Sequence, residues 1–185
     1  MNQTEQRIKE ACLTAQTDDP LELAVEIMKS SDIPIHGPVH HILDGACFLT
    51  ALHRAGLPFD LAAALDEMIL RGEKMPGATC GQWGVCGSAA SVGAALAIVH
   101  ETGPLSGDEY YKDNLRCVAR GLERIAEVGG PRCCKRNAYL SITTAAEFVK
   151  ERYGLELPLH EVKCEFSGEN KQCIGVKCPF FKENT

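Results

Sequence analysis

The sequence predicts a mainly α-helical fold, with one compact domain of about seven helices followed by an irregular, cysteine-rich, metal-binding C-terminal tail. Three observations support this prediction. Apolar residues recur at helical spacing through most of the 185-residue chain, residues typical of helix ends separate these segments, and the last part has too few apolar residues to form a core. We therefore divide the chain into a helical body, residues 1–158, and a tail, residues 159–185.

Four helices are predicted in the first half of the chain. Asp19 is suited to cap the second helix, with Pro20 in its first turn and Glu22 at the capping-box position. A glycine ends each of the third and fourth helices. The predicted ranges are about Thr4 to Ala15, Asp19 to Lys29, Val39 to Ala55, and Pro58 to Arg71.

Three more helices are predicted in the second half. The first follows a glycine-rich loop and carries small residues that permit close packing, so we expect it at the centre of the fold. Ser106 and Glu109 form a predicted capping box for the next helix, and Pro131 opens the last. Only the segment 162–166 alternates clearly enough to suggest a short strand. The predicted helix ranges are about Ser88 to His100, Ser106 to Glu127, and Pro131 to Tyr153.

Composition restricts the classes of protein to which the chain can belong. The net charge of −6 and the pI near 5.5 argue against a general nucleic-acid binder. The N-terminus is polar, and the longest apolar run, Ala89 to Val99, is too short to span a membrane. We therefore expect a cytoplasmic protein whose ten cysteines are reduced, several of them serving metal binding or redox chemistry. The sequence does not specify an oligomeric state.

The tail contains three cysteines, Cys164, Cys173 and Cys178, separated by eight and four residues. Such a polar segment requires a bound metal or cluster to order it. The spacing lacks the paired Cys-x-x-Cys of most zinc sites and suits an iron–sulfur cluster, and Cys178–Pro179 resembles the end of many cluster-binding runs. We therefore predict that the three cysteines bind a [4Fe–4S] cluster, with zinc as the alternative.

Three tail cysteines leave one ligand position to fill. Pro131 places Cys133 and Cys134 in the first turn of the last helix, where the helix dipole and nearby basic residues are expected to lower the thiol pKa. Cys134 lies one turn before Ala138 on the apolar stripe of that helix. Cys134 is therefore the first choice for the fourth ligand and Cys133 the second, unless the position stays open for a substrate. The nearby basic residues, a predicted basic patch, are Arg132, Lys135 and Arg136.

Two further stretches supply the candidate catalytic residues Cys80, Cys86 and His40. The two cysteines flank a glycine-rich loop, where they could pair reversibly, bind a metal or supply a nucleophile, although the glycines also suit tight helix packing. The loop lacks the Lys-Ser/Thr ending of phosphate-binding loops, which disfavours nucleotide binding. His40 and Asp44 lie one turn apart, so the carboxylate can orient the imidazole for proton transfer. The remaining cysteines fall on apolar helix faces and are predicted core residues: Cys12, Cys47 and Cys117.

Four ordered motifs in the chain resemble those of an uncharacterised cysteine-rich domain family of bacteria and archaea. The resemblance extends from about Pro34 to Phe181. The resemblance implies that the functional residues lie in these four stretches. In that family the domain sometimes occurs beside a methyltransferase-like domain. The family has no described activity, so the resemblance implies no reaction. The motifs are His36-Gly-Pro-x-His-His, Cys80-Gly-x-x-Gly-x-Cys-Gly, Gly129-Gly-Pro-Arg-Cys-Cys-Lys-Arg, and Cys178-Pro-Phe-Phe.

Two classes of function are consistent with these residues, and the sequence does not decide whether the chain is an enzyme. In the first, a cluster on the tail cysteines is completed by Cys133 or Cys134, and Cys80, Cys86 and His40 face it across a pocket. Redox chemistry, or sulfur transfer or desulfuration of a small molecule, is then expected. In the second, the chain is a non-catalytic module that zinc or a cluster stabilises and that serves a partner enzyme. The surplus of candidate ligands over the four of a structural site favours the first.

Overall fold

The fold is described from a computed structural model, which covers residues 1–30 and 32–184. Within these residues the chain is mainly helical, as predicted, with eight α-helices and two 3₁₀ turns. The turns, Gly175–Lys177 and Lys182–Asn184, lie in the C-terminal segment. The helices are α1 (Gln3–Thr14), α2 (Pro20–Met28), α3 (His40–Arg54), α4 (Leu61–Lys74), α5 (Thr79–Gln82), α6 (Gly87–Val99), α7 (Glu109–Val128) and α8 (Cys134–Tyr153).

The seven predicted helices are all present, and their ends differ from the prediction where a different residue caps the helix. Asp19 caps α2, as predicted. The predicted capping box at Ser106 is wrong, because Asp108 caps α7 by accepting a backbone hydrogen bond from the first turn. Helix α8 likewise starts later than predicted, because Cys133 and not Pro131 stands at its beginning, where Cys133 is the cap.

Two local features differ from the prediction. The glycine-rich loop contains an additional single-turn helix, α5, which follows Ala78 in a left-handed conformation with φ of 67°. The short strand expected over 162–166 is wrong. Within the described residues this segment makes only one parallel bridge, between Cys164 and Phe181, and a single bridge lacks the repeated pairing of a ladder.

Helices α3 and α6 form the centre of the fold. Helix α3 contacts α1, α2, α4, α6 and α8, and it is buried from His40 through Leu52. Glycines permit this close packing: a Cβ on Gly45 would lie 2.7 Å from the backbone oxygen of Ser91. The expected central position of α6 is thereby confirmed, since it packs against α3, α4, α7 and α8.

The C-terminal segment returns to the first half of α8. Val162 and Phe166 are buried in the core. The ring of Phe180 packs edge-on against Tyr139 of α8, with 5.2 Å between ring centres. The Cys164 N–H donates to the Phe180 carbonyl oxygen at 2.7 Å, which fastens the two ends of the segment to each other. The segment is thus held over the start of α8 by apolar contacts and backbone hydrogen bonds.

The remaining cysteines of the body behave as predicted for core residues. Cys12, Cys47 and Cys117 are all buried, with exposures of at most 1%. Burial raises the pKa of Cys117 to about 12, so its thiol stays protonated and acts as a small apolar group. Among residues 1–30 and 32–184, no helix is long and apolar enough to cross a membrane.

Candidate metal centre and neighbouring cysteine chamber

Four cysteines line a cavity between the start of α8 and the C-terminal segment: Cys133, Cys164, Cys173 and Cys178. All four are free thiols, two of them buried and two half-buried. Cys133 comes from the beginning of α8, and the other three come from the segment. We name this space the four-cysteine cavity. The structure thus places the three predicted tail ligands together with Cys133.

Each sulfur atom of the four-cysteine cavity faces a backbone N–H group two or three residues further along the chain. Tight turns after each cysteine produce this arrangement. Such N–H···S contacts stabilise thiolates and help to set the reduction potential of bound clusters. The pairs are Arg136 N and Cys133 Sγ at 3.5 Å, Gly175 N and Cys173 Sγ at 3.4 Å, Phe166 N and Cys164 Sγ, and Phe180 N and Cys178 Sγ.

Asn170 connects the cavity to the loop before α3. Its Nδ2 donates to Cys133 Sγ at 3.4 Å, and its Oδ1 accepts from the Gln172 N–H at 2.9 Å. The same Oδ1 lies 3.1 Å from His36 Nε2. Because Oδ1 can only accept, Nε2 carries the proton of the His36 imidazole. The Asn170 carbonyl also accepts from the Cys173 N–H at 2.9 Å, so one residue orients two of the four cysteines.

A buried lysine lines the four-cysteine cavity. Lys135 is 1% exposed, and no carboxylate of the described residues lies within 4.0 Å of its ammonium group. Its Nζ lies 3.4 Å from the Met28 carbonyl oxygen and 4.6 Å from the centre of the Phe166 ring. These neutral partners satisfy the ammonium group only in part. A charge buried without a counter-ion is costly, so an anion in the cavity would stabilise this arrangement.

A buried arginine lines the same cavity. Arg136 is 3% exposed, and its guanidinium donates to the carbonyl oxygens of Gly129 and Pro131 at 2.7 and 3.0 Å and to Asn137 Oδ1 at 3.3 Å. All three acceptors are neutral, and no described carboxylate pairs with the group within 4.0 Å. The predicted basic patch is therefore wrong as a surface feature, since only Arg132 is exposed.

Burial dominates the protonation of the groups around the cavity. It raises the pKa of the Cys164 and Cys178 thiols, and it lowers the pKa of Lys135 to about 8. Neighbouring thiols also raise the pKa of both cysteines, whereas the backbone N–H donors lower it. The lowering of thiol pKa predicted at the start of α8 is wrong for Cys134, whose pKa burial raises to about 11. Desolvation outweighs the helix dipole there.

Cys134 lines a second space together with Cys80 and Cys86, which we name the three-cysteine chamber. Cys133 and Cys134 are adjacent but line different spaces, because Cys133 is extended, with φ of −143° and ψ of 108°, and Cys134 is already helical. The structure therefore does not bring Cys134, the first choice for the fourth ligand, to the cavity of the tail cysteines, and Cys133 lines that cavity instead. Cys134 is instead close enough to Cys86 for their charges to interact.

Cys86 is held by two elements of the chamber. Its backbone stands at the beginning of α6, where Cys86 is the cap residue, and its side chain makes no capping hydrogen bond to the first turn. Asn137 Nδ2 donates to Cys86 Sγ at 3.3 Å. The orientation of the Asn137 amide is fixed because its Oδ1 accepts from Arg136 Nε, which can only donate. A chain of contacts therefore links the four-cysteine cavity, through Arg136 and Asn137, to the Cys86 thiol.

An open groove gives access to Cys80 and Cys86 from solvent. The groove has a volume of about 670 Å³ and lies between the glycine-rich loop and the apolar face of α7. Arg132 and Arg136 also line the groove, and Glu123 of α7 is the one carboxylate among its described lining residues. No carboxylate of the described residues pairs with the exposed Arg132 within 4.0 Å. The groove size is typical of small-molecule sites.

His40, the predicted proton-transfer residue, is completely buried at the edge of the three-cysteine chamber. Its Nε2 lies 3.2 Å from the Pro34 carbonyl oxygen, and its Nδ1 lies 3.7 Å from Asp44 Oδ1. The predicted one-turn spacing therefore does bring His40 and Asp44 together. Neither Asp44 oxygen has a hydrogen-bond partner among the described residues, and the same is true of His40 Nδ1. Because its Nε2 faces a carbonyl and its Nδ1 faces Asp44, His40 presents no free ring nitrogen to the thiols.

His41 lines the three-cysteine chamber and was not among the candidate residues selected from the sequence. It lies against the start of α6: a Cβ on Gly87 would be 2.1 Å from His41 Nε2. Asn137 and Asn170, which donate to sulfur atoms, were not selected either. His41 and Asn137 lie within or next to the motifs quoted above, which is the only signal that points to them. Asn170 has no comparable signal.

One family of known proteins includes this chain. Within the described residues, no group of three or more His, Cys, Asp or Glu side chains is arranged to hold a metal ion. No curated protein matches the chain. No solved structure matches it either. A family model described as a family of unknown function, DUF5714, matches residues 8–181, and the chain therefore belongs to that family.

Proposed function

We propose that the four-cysteine cavity binds an iron–sulfur cluster of the [4Fe–4S] type, and that the protein performs redox or sulfur-transfer chemistry, including desulfuration, on a small molecule. One observation carries the proposal. Four thiols from two separate parts of the chain line one cavity, and each sulfur faces a backbone N–H group. This donor set is the one that iron–sulfur clusters use.

The two buried cations support the same proposal. Four thiolates outnumber the positive charge of a zinc ion or of an oxidised four-iron core, so the loaded centre is a net anion. Lys135 and Arg136 line the cavity without a carboxylate partner among the described residues, and such a centre would supply the missing negative charge. Buried charges are otherwise paired.

The arrangement of the thiols favours a cluster over a single ion. A zinc ion requires its ligands at about 2.0–2.3 Å from one point, whereas each thiolate of a cluster binds a different iron atom. The four cysteines also lack the paired Cys-x-x-Cys spacing of most zinc sites. Zinc remains the alternative, and in that case the chain would be a non-catalytic module for a partner enzyme, for example a methyltransferase-like one.

Cys133 replaces Cys134 as the proposed fourth ligand. With Cys133, the cavity contains enough thiols to occupy every iron of a cubane cluster. The chemistry on a substrate is then assigned to the three-cysteine chamber, where Cys80, Cys86 and Cys134 are not used as ligands. When bound, a cluster supplies single electrons at a potential tuned by the N–H···S contacts. A reducing, cytoplasmic compartment suits ten free thiols.

The test compares two adjacent cysteines after anaerobic reconstitution with iron and sulfide. We expect wild-type protein to become brown, with broad visible absorption and four irons and four sulfides per chain, as the [4Fe–4S] formula requires. Cys133→Ser should lose most of this absorption, and Cys134→Ser, the matched control, should keep it. Because the two variants differ by one position, a general effect on the start of α8 would appear in both.

Two outcomes would contradict the proposal. A colourless wild-type protein that binds stoichiometric zinc and no iron would replace the cluster with a zinc site. A cluster that survives Cys133→Ser but not Cys134→Ser would restore the first sequence-based choice of ligand and would require a different path for the tail.

A further inference from the structure

The three-cysteine chamber contains an imidazole whose protonation state can be deduced from its contacts. His41 Nδ1 lies 3.1 Å from the Met75 carbonyl oxygen, which can only accept, so Nδ1 carries the proton. Nε2 of the neutral ring then has a free lone pair. No described group hydrogen-bonds to Nε2, and His41 is one of the residues that line the chamber. His41 therefore presents a base to this space.

Cys86 shares the chamber with His41 and precedes the residue that the imidazole touches. Gly87, the next residue, is pressed against the imidazole, and a Cβ at this position would lie 2.0 Å from His41 Cδ2 and 2.1 Å from Nε2. The glycine is thus required for the ring to approach the start of α6. The thiol itself accepts a hydrogen bond from Asn137 Nδ2 at 3.3 Å. That donor would stabilise negative charge on the sulfur.

We propose that Cys86 is a nucleophile and that His41 is its general base. In the reaction, Cys86 Sγ forms a bond to an electrophilic carbon or sulfur atom of the substrate, and the bond from that atom to its leaving group breaks. The electron pair of the broken bond goes with the leaving group, and the thiol proton passes to His41 Nε2. A thiol with an adjacent base and an orienting group is the usual arrangement of a catalytic cysteine.

The groove defines the class of substrate. Cys86 lines both the chamber and the groove of about 670 Å³, so a small molecule in the groove reaches the thiol. The residues that α7 contributes are apolar except for the exposed Glu123, and two cations, Arg132 and Arg136, outnumber this single carboxylate in the lining. We therefore assign the groove to a small organic anion with an apolar body. The inference deepens the proposed function, on which it rests for the link between this substrate and the cluster.

The first test requires no variant. Full-length protein, prepared without oxygen, is treated with less than one equivalent of iodoacetamide, and each cysteine is quantified by peptide mass spectrometry. Alkylation forms an S–C bond and releases iodide, as in the proposed step. Cys86 is 8% exposed and Cys80 is more exposed, so accessibility alone predicts faster labelling of Cys80. We expect the reverse order, with Cys86 faster by about tenfold or more. Labelling in the order of exposure would overturn the proposal.

The second test removes the base and keeps its structural contact. In His41→Asn, the amide nitrogen can still donate to the Met75 carbonyl, but the lone pair of Nε2 is lost. Labelling of Cys86 should slow by about tenfold or more, since a general base contributes this much or more. His100→Asn, at the opposite end of α6, is the matched control and should leave the rate unchanged. An unchanged rate in folded His41→Asn would exclude His41 as the base.

The alkylation rates of the cysteines and the iron content are measured separately. The nucleophile–base proposal and the cluster proposal can therefore fail independently. Loss of the Cys86 preference with normal iron content would overturn the nucleophile–base pair and leave the cluster in place. Absence of iron with a retained Cys86 preference would overturn the cluster and support the pair.

Discussion

At the scale of single residues, the start of α8 is unusual because neighbouring side chains line different cavities. Cys133 lines the four-cysteine cavity, Cys134 lines the three-cysteine chamber, and Asn137 donates to the thiol of Cys86. Lys135 and Arg136 are both buried between them without a described carboxylate within 4.0 Å. Burying these two charges does not by itself stabilise the fold, because uncompensated buried charge is unfavourable.

Replacing Lys135 by methionine should therefore have opposite effects in the two states of the protein. The side chains have similar length, and methionine carries no charge. The metal-free variant should be more stable than metal-free wild type, by about 1 kcal/mol, because a buried charge is removed. The reconstituted variant should contain less iron, since a cation facing the thiolates is lost. Urea unfolding and iron analysis measure the two quantities.

Lys150→Met is the control for this prediction. Lys150 lies on the same helix and forms an exposed ion pair with Glu156. Its replacement should change stability by less than about 1 kcal/mol and should not change iron content. If Lys135→Met destabilised the metal-free protein strongly, the ammonium group would be compensated by contacts of the protein itself, and the charge argument for the cluster would fail.

At the scale of elements, the sequence predicted the helices well because helix formation depends on local patterns. The seven apolar, periodic segments all became helices, and Asp19 caps α2 as expected. The failures concern features that depend on distant parts of the chain. The single bridge at Cys164 exists because the segment returns to Phe181, and the choice between Cys133 and Cys134 depends on the extended conformation of the cap. Neither of these is encoded in helical periodicity.

Local sequence patterns also did not predict which of the basic residues would be buried. Arg132, Lys135 and Arg136 form a basic cluster in sequence, but the C-terminal segment covers two of them. The same folding event creates the four-cysteine cavity, so the position of the fourth ligand could not be read from α8 alone. His41 was missed for a related reason: its role depends on Met75 and Gly87, which lie far from it in sequence.

Close packing between α3 and α6 gives a prediction at this scale. In Gly45→Ala, the added methyl group would lie 2.7 Å from the Ser91 backbone oxygen and 2.6 Å from Met68 Sδ. The side chain of Met68 can move, but the backbone of α6 cannot move without disturbing the core. Overpacking of this kind costs about 1–3 kcal/mol, and the helix propensity of alanine offsets about 1 kcal/mol of it. We expect a net loss of stability in urea unfolding.

Gly121→Ala is the matched control in α7. Its added Cβ would meet Ala89 Cβ at 3.3 Å, a contact that a small shift relieves. The gain in helix propensity then remains, so stability should stay equal or increase by up to about 1 kcal/mol. Equal losses in both variants would mean that the approach of α3 to α6 is no closer than that of α7, and the packing argument would be wrong.

At the scale of the whole molecule, seven of the ten cysteines line two neighbouring spaces, and the four sequence motifs meet around them. The other three cysteines lie in the core. The Cys133–Cys134 dipeptide belongs to both spaces, and Arg136 and Asn137 join them by hydrogen bonds. The fold therefore places a candidate cluster site directly beside a candidate thiol nucleophile, and α3, α6 and α8 supply the rigid frame for both.

Burial of histidines in this frame predicts how stability depends on pH. Burial lowers the pKa of His41 and of His100 below the ordinary value of 6.5. For His100, hydrogen bonding to Asn114 and the charges of Asp113 and Asp108 act in the opposite direction, but burial is the larger effect. Below pH 6.5 these two histidines are therefore protonated more readily in the unfolded chain than in the folded protein. The stabilisation from the neutral rings is present above pH 6.5 and is lost as the pH falls through the folded pKa values.

Urea unfolding of the metal-free protein at pH 7.5, 6.5 and 5.5 measures this dependence. We expect the free energy of unfolding to decrease at each step toward acid, because protonation favours the unfolded chain. His100→Gln, which cannot take up a proton, should show a smaller decrease over the same range. His53→Gln changes an exposed histidine and should follow the wild-type curve. Stability that stays constant or rises between pH 7.5 and 5.5 would show that the buried rings accept protons as readily as they do in the unfolded chain, and His41 could then not be assigned as a neutral base at physiological pH.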